Sequence, residues 1–88
     1  MKEMMLAVGV EGYTIRYFRT KGSYECEGEQ KSIYGVAVTK SLDDVEEESV
    51  DAGFISEDIG YVDEIIATLG RNSVTPVALC EVLDEMLV

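Results

Sequence analysis

The sequence predicts an α+β fold: about four mainly antiparallel strands followed by a C-terminal two-helix hairpin packed on one sheet face. Three observations carry that prediction. Short apolar or alternating runs, separated by turn residues, occupy the first 55 residues. From Ser56 onward the apolar spacing changes to the three-and-four step of a helix face. Strands come first and helices last, with short connections, which leaves no room for the βαβ units of a parallel sheet. The 88 residues make one domain, 1–55 the sheet part and 56–88 the helical hairpin.

Met4 to Val10 is a short apolar run closed by Glu11-Gly12, and its lack of charge places it as a strand in the centre of the sheet. Gly12 tolerates a positive φ, so Glu11-Gly12 makes a tight turn into Tyr13-Thr14-Ile15-Arg16-Tyr17. There Tyr13, Ile15 and Tyr17 share one face and Thr14 and Arg16 the other, so the two segments form a hairpin. Thr20 to Ser32 is rich in charge and glycine, with only Tyr24 and Cys26 as larger apolar residues. Its middle reads as a loop or a ragged edge strand. Ile33 to Thr39 is apolar on both sides and reads as an interior strand. Ser41 to Glu48 reads as a turn carrying five acidic residues. From Ser49 onward, Val50, Ala52 and Phe54 alternate with Ser49, Asp51 and Gly53 as a half-buried strand.

Ser56 is the expected N-cap of the first helix, with Glu57 and Asp58 at the positive end of its dipole. Ile59, Val62, Ile65, Ile66 and Leu69 form its apolar stripe, and Gly70 stands where a left-handed residue would end it. Thr75 as N-cap and Pro76 at the first helical position open the second helix, with Val74 and Leu79 placed as a hydrophobic staple. Val77, Leu79, Cys80, Leu83, Met86 and Leu87 are its expected buried side. Neither helix is long enough to hold its shape alone, so both need the sheet.

With 47% hydrophobic and 28% charged residues the chain is globular rather than disordered. Seven basic residues against eighteen acidic give a net charge of −11, which favours solubility and opposes nucleic acid and anionic membrane as partners. No apolar run approaches the ~20 residues that cross a bilayer. Met4 to Val10 is too short for a signal peptide, and two cysteines far apart fit neither a zinc motif nor a disulfide framework. A cytoplasmic location follows.

No catalytic, cofactor-binding or metal-binding residue is assigned. Histidine is absent, which removes the usual triads, histidine-bound zinc and the commonest general base near neutral pH. Cys26 sits between Glu25 and Glu27, and Cys80 lies on a face read as buried; neither setting activates a thiol. The acidic stretch 43–51 lacks the alternating ligand spacing and central glycine of a calcium loop and reads as a solvated turn. A helix-turn-helix reading of 56–88 fails because its second helix offers Glu81, Asp84 and Glu85 and no base. Tyr34-Gly35-Val36-Ala37-Val38 echoes an RNA-recognition strand without the basic rim such a surface needs. The tyrosines read as core-edge residues with hydroxyls in water, and the methionines as core fillers or adaptable contact residues.

The segment Ile55-Ser56-Glu57-Asp58, the following apolar helix, the hinge Arg71-Asn72-Ser73-Val74-Thr75-Pro76-Val77 and the earlier Tyr34-Gly35-Val36 resemble an uncharacterised family of short bacterial proteins, mostly from anaerobic Gram-positive species. The resemblance covers roughly the last two-thirds of the chain. It implies a bacterial origin, no established activity and no catalytic residue. The family pattern has a histidine shortly after the proline, where this chain has Ala78.

The expected function is therefore a small non-catalytic interaction module. It would bind a protein partner, basic in character or a second copy of itself, through the uncovered sheet face or a strand edge. The alternatives are a small-ligand or divalent-cation domain using the carboxylates of 43–51 and nearby tyrosines, and an acidic blocker of a nucleic-acid-binding protein.

Overall fold

A computed structural model describes residues 1–87. Four strands, β1 (Lys2–Val10), β2 (Tyr13–Cys26), β3 (Glu29–Leu42) and β4 (Val45–Ser56), precede two helices, α1 (Ile59–Arg71) and α2 (Leu79–Met86). The strands form one antiparallel sheet in the order β1-β2-β3-β4, each paired with its neighbour in sequence. β3 is interior, as its two apolar faces require. β1 is an edge strand rather than a central one: its uncharged sequence matches burial on both sides, but a meander leaves the first strand outermost.

All three hairpins turn on two residues, both with positive φ: Glu11-Gly12, Glu27-Gly28 and Asp43-Asp44. Such turns twist in the sense of the flanking strands, so the ladders continue right up to them. Thr20 to Ser32 is consequently no loop. β2 and β3 stay paired to Cys26 and Glu29, and beyond Lys21 and Ile33 they project as a two-stranded ribbon with no β1 or β4 residue in register. The acidic turn likewise shrinks to Asp43-Asp44, with Glu46, Glu47 and Glu48 already inside β4.

Both helices lie on one face of the sheet. α1 crosses all four strands and α2 packs against β4. The core joins Ile15, Tyr17, Val36 and Val38 of the sheet to Val62, Ile65, Ile66 and Leu69 of α1, with Val74, Leu79 and Leu83 closing one end. Each such side chain taken out of water contributes about 1.5–3 kcal/mol before entropy is counted. Ile59 belongs to the expected stripe but is exposed, because it begins the helix beyond the edge of the core.

The helix ends differ from the sequence reading. Asp58, not Ser56, is the N-cap of α1, its carboxylate accepting from the Tyr61 amide at 3.2 Å, while the Ser56 hydroxyl accepts from the Asp58 amide. Gly70 stays inside the helix, where its missing Cβ admits the Leu6 side chain from β1. The left-handed residue is Ser73, at φ 49°, and the chain closes with Val74 N–H to Leu69 C=O and Ser73 N–H to Gly70 C=O. These two bonds make a Schellman motif with serine in the position glycine usually takes. Thr75 to Ala78 form a tight turn through bonds from Ala78 N–H to Thr75 C=O and Leu79 N–H to Pro76 C=O, so α2 starts at Leu79. Within it Leu79 and Leu83 are buried and Val82 and Met86 half-buried, while Cys80 and the flanking Val77 and Leu87 are exposed rather than buried.

Candidate interaction surface

The sheet face without helices reads in rows across the strands. Register places Lys2, Thr20, Gly35 and Phe54 in one row, Met4, Phe18, Ala37 and Asp51 in the next, and Ala7, Arg16, Thr39 and Ser49 in a third. The large apolar side chains of this face come from the first two rows: Met4 of β1, Phe18 of β2 and Phe54 of β4. At its centre Ala37, Thr39 and Ser41 are small and nearly solvent-free. Larger neighbours lean over them: Arg16 donates from Nη1 to the Ser41 hydroxyl at 3.1 Å, and the Phe54 ring lies on Gly22, two strands away.

Phe54 can lie there because of two glycines. Gly35 is its register partner, and a Cβ at Gly35 would meet the carbonyl of Gly53, which bulges from β4 at φ 78°. The bulge turns Phe54 onto the open face, where it remains 54% exposed, and the flat backbone of Gly35 and Gly22 receives the ring.

β1 presents the other apolar feature. From Met4 to Val10 it has no charged residue, and one side of its backbone is unpaired. A bulge between Met4 and Leu6 gives Met5 no register partner; Met4 is 54% and Met5 37% exposed. Met1, Met4 and Met5 stand at the surface around β1 and fill no core gap, whereas Met86 is half-buried and packs against the core. Leu6, Val8 and Val10 pack against the core from the same strand, each only half-covered. At its N-terminal end β1 is held by Arg19, which donates from Nη2 to Glu3 at 2.9 Å and from Nη1 to both Asp63 oxygens at 2.7 and 2.8 Å. The bond to Asp63 is the main cause raising the Arg19 pKa above its ordinary value, so the guanidinium stays charged.

The remaining sequence candidates are placed as follows. Cys26 is exposed at the ribbon tip, and Cys80 is exposed on α2 rather than buried; both are free thiols. Register sets Glu46 beside Ser41 and Glu48 beside Lys40, on opposite faces of the sheet, with Glu47 unpaired at the break between them. Among the described residues, no three Cys, Asp or Glu side chains group as metal ligands. Tyr34 lies on the helix-covered side, its ring 5.9 Å from the Arg19 guanidinium, so the strand that echoes RNA recognition does not offer its aromatic to the open face. Tyr17 contradicts the reading of tyrosines as edge residues, being fully buried. Tyr24 on the ribbon donates its hydroxyl to Glu57, which raises the phenol pKa.

Among the described residues, one small hollow of about 180 Å³ lies beside Glu3, Arg19, Lys21, Tyr34 and Ile59, and another of about 160 Å³ between Tyr61, Ile65, Thr68 and Met86. Both fall below the ~300 Å³ at which small-molecule sites begin. Among the described residues no helix is long and apolar enough to cross a membrane.

A family model described as "Family of unknown function (DUF6514)" matches residues 2–88. No curated protein and no solved structure matches the chain.

Proposed function

The chain belongs to this family of unknown function, and from that premise, which brings no activity with it, we propose a small non-catalytic module that recognises another polypeptide by strand addition at β1. The observation that supports the reading is the seven-residue uncharged run Met4–Val10, with one backbone edge unpaired and Met4 and Met5 exposed beside it. Edge amides and carbonyls supply affinity in this mode of recognition, and alternate side chains supply selectivity. Unbranched thioether side chains adapt to differing partner surfaces. A chain without histidine, with both thiols free, fits a binding role in a reducing bacterial cytoplasm, and a net charge of −11 turns the reading away from nucleic acid and anionic membrane.

The test compares the immobilised protein with Ala7→Lys, which puts a cation on the β1 edge, the device by which natural sheets block edge pairing. The reading expects polypeptide retained by the wild type to be lost from the variant. Equal retention by both would remove β1 from the recognition surface.

A further inference from the structure

We infer that the polypeptide added at β1 is a second copy of this chain, joined antiparallel across a two-fold axis through Ala7 to make one continuous eight-stranded sheet. The inference rests on the strand-addition reading and names its partner.

The two edges of the sheet are unlike. β4 carries Glu46, Glu47, Glu48 and Asp51, its register with β3 breaks repeatedly, and Gly53 bulges from it. Charge and bulges together keep another strand away from that edge. β1 has a single bulge and no charge between Met4 and Val10.

The charge of the molecule is divided the same way. Residues 2–26, which form β1 and β2, hold four basic residues (Lys2, Arg16, Arg19, Lys21) against Glu3, Glu11 and Glu25. The other fifteen of the eighteen acidic residues lie in 27–88, opposed only by Lys31, Lys40 and Arg71. A net charge of −11 therefore does not prevent two copies from meeting along β1, while it does oppose their meeting along β4. Nor does the β1 side select a basic partner, since its charges balance once Asp63 of α1, bonded to Arg19, is counted there.

Self-pairing also satisfies the geometry. Paired residues in an antiparallel ladder point to the same face, so a strand meeting its own copy must be centred on a residue. Ala7 is the midpoint of the uncharged run. Centring there sets Leu6 opposite Val8 of the partner subunit and covers the half-exposed apolar row on the helix side. It places the helices of both copies on the same side of the joined sheet. One edge per copy is a small interface, at the weak end of specific association, so the pairing depends on concentration.

Light scattering after size exclusion over a concentration series, with hydrogen exchange on the β1 amides, tests this. The wild type should pass from 9.7 kDa to twice that mass, with protection rising over Met4–Val10 as it does. Ala7→Lys and Ala7→Glu should each stay single, because position 7 then opposes its own charge, and an equimolar mixture should recover the doubled mass. Ala7 is exposed and lies in the open-face row with Arg16 and Thr39, away from the helix-covered side, so both variants should melt close to the wild type. A doubled mass that survives both substitutions, or open-ended assembly, would overturn the inference. So would a single chain at every concentration; retention of other polypeptide that Ala7→Lys abolishes would then leave the strand-addition reading standing with a different partner, and retention unaffected by it would remove both.

Discussion

The Tyr17 hydroxyl donates to the backbone carbonyl of Val74 at 2.9 Å, in the fully buried centre of the molecule. A strand in the middle of the sheet is thereby bonded to the connection between the helices, 57 residues later. The bond satisfies a carbonyl that the end of α1 and the tight turn leave without a helical partner. Leu6 and Val38 flank Tyr17 in the same row, so the phenol stands at the crossing of both layers.

Tyr17→Phe keeps the ring and removes the donor, leaving the Val74 carbonyl buried and unpaired. The expected loss is about 1–3 kcal/mol, read as a lower urea midpoint at unchanged slope. Burial also holds the Tyr17 pKa above its ordinary value of 10.0. Below that pH the phenol is neutral in both states and stability does not depend on it. As pH rises past 10.0 the unfolded chain releases its proton first, so stability falls until the folded pKa is reached. The alkaline decline should be shallower in Tyr17→Phe than in the wild type.

Gly35→Ala should destabilise the protein by about 1–3 kcal/mol, because the new methyl meets the Gly53 backbone carbonyl and the Thr20 Oγ1 atom rather than a movable side-chain end. Gly53→Ala has open space around its Cβ but a φ of 78°, and should cost about 1 kcal/mol from backbone strain alone. Equilibrium denaturation of the two variants checks the order.

Ser73→Gly should raise stability by about 0.5–1 kcal/mol. Ser73 holds φ 49° at the residue where the Schellman motif favours glycine, and no side-chain bond of its own offsets the strain. Asp44→Gly is expected to act in the same direction, since Asp44 has φ 64° in a turn that prefers glycine there and only a loose 3.7 Å contact with Arg16. A thermal melt of each variant decides.

The Arg19–Asp63 pair joins β2 to α1, with the Arg19 side chain 16% exposed and the Asp63 side chain 39%. A double-mutant cycle with Arg19→Ala and Asp63→Ala should give a coupling of roughly 1 kcal/mol, reduced in high salt. A coupling indistinguishable from zero at low salt would mean that packing, not charge, holds β2 and α1 together at that end.

Much of the architecture could be read residue by residue. Tyr13, Ile15 and Tyr17 alternate toward the helices as a strand requires, and Val62, Ile65, Ile66 and Leu69 line α1 at helical spacing. The second hairpin was also written in the chain: Cys26-Glu27-Gly28-Glu29 repeats the acidic-glycine turn of Glu11-Gly12, but the charges around it mask the strand pattern. An exposed two-stranded ribbon needs no apolar face, so periodicity gives no sign of it. The β1 edge and the Phe54 shelf were not legible, because each depends on which strand lies beside which.

By itself the sequence determined the local choices: strand or helix from the period of its apolar residues, and turns from glycine and acidic residues. These are decided within a few neighbouring residues, where backbone sterics and side-chain spacing act. The tertiary structure alone decided that the uncharged first strand is an edge, that Gly70 is a seat for Leu6, and that Tyr17 bonds the helix connection. Those outcomes depend on contacts between residues far apart in the chain, which only the packing of helices on the sheet brings within van der Waals and hydrogen-bond range.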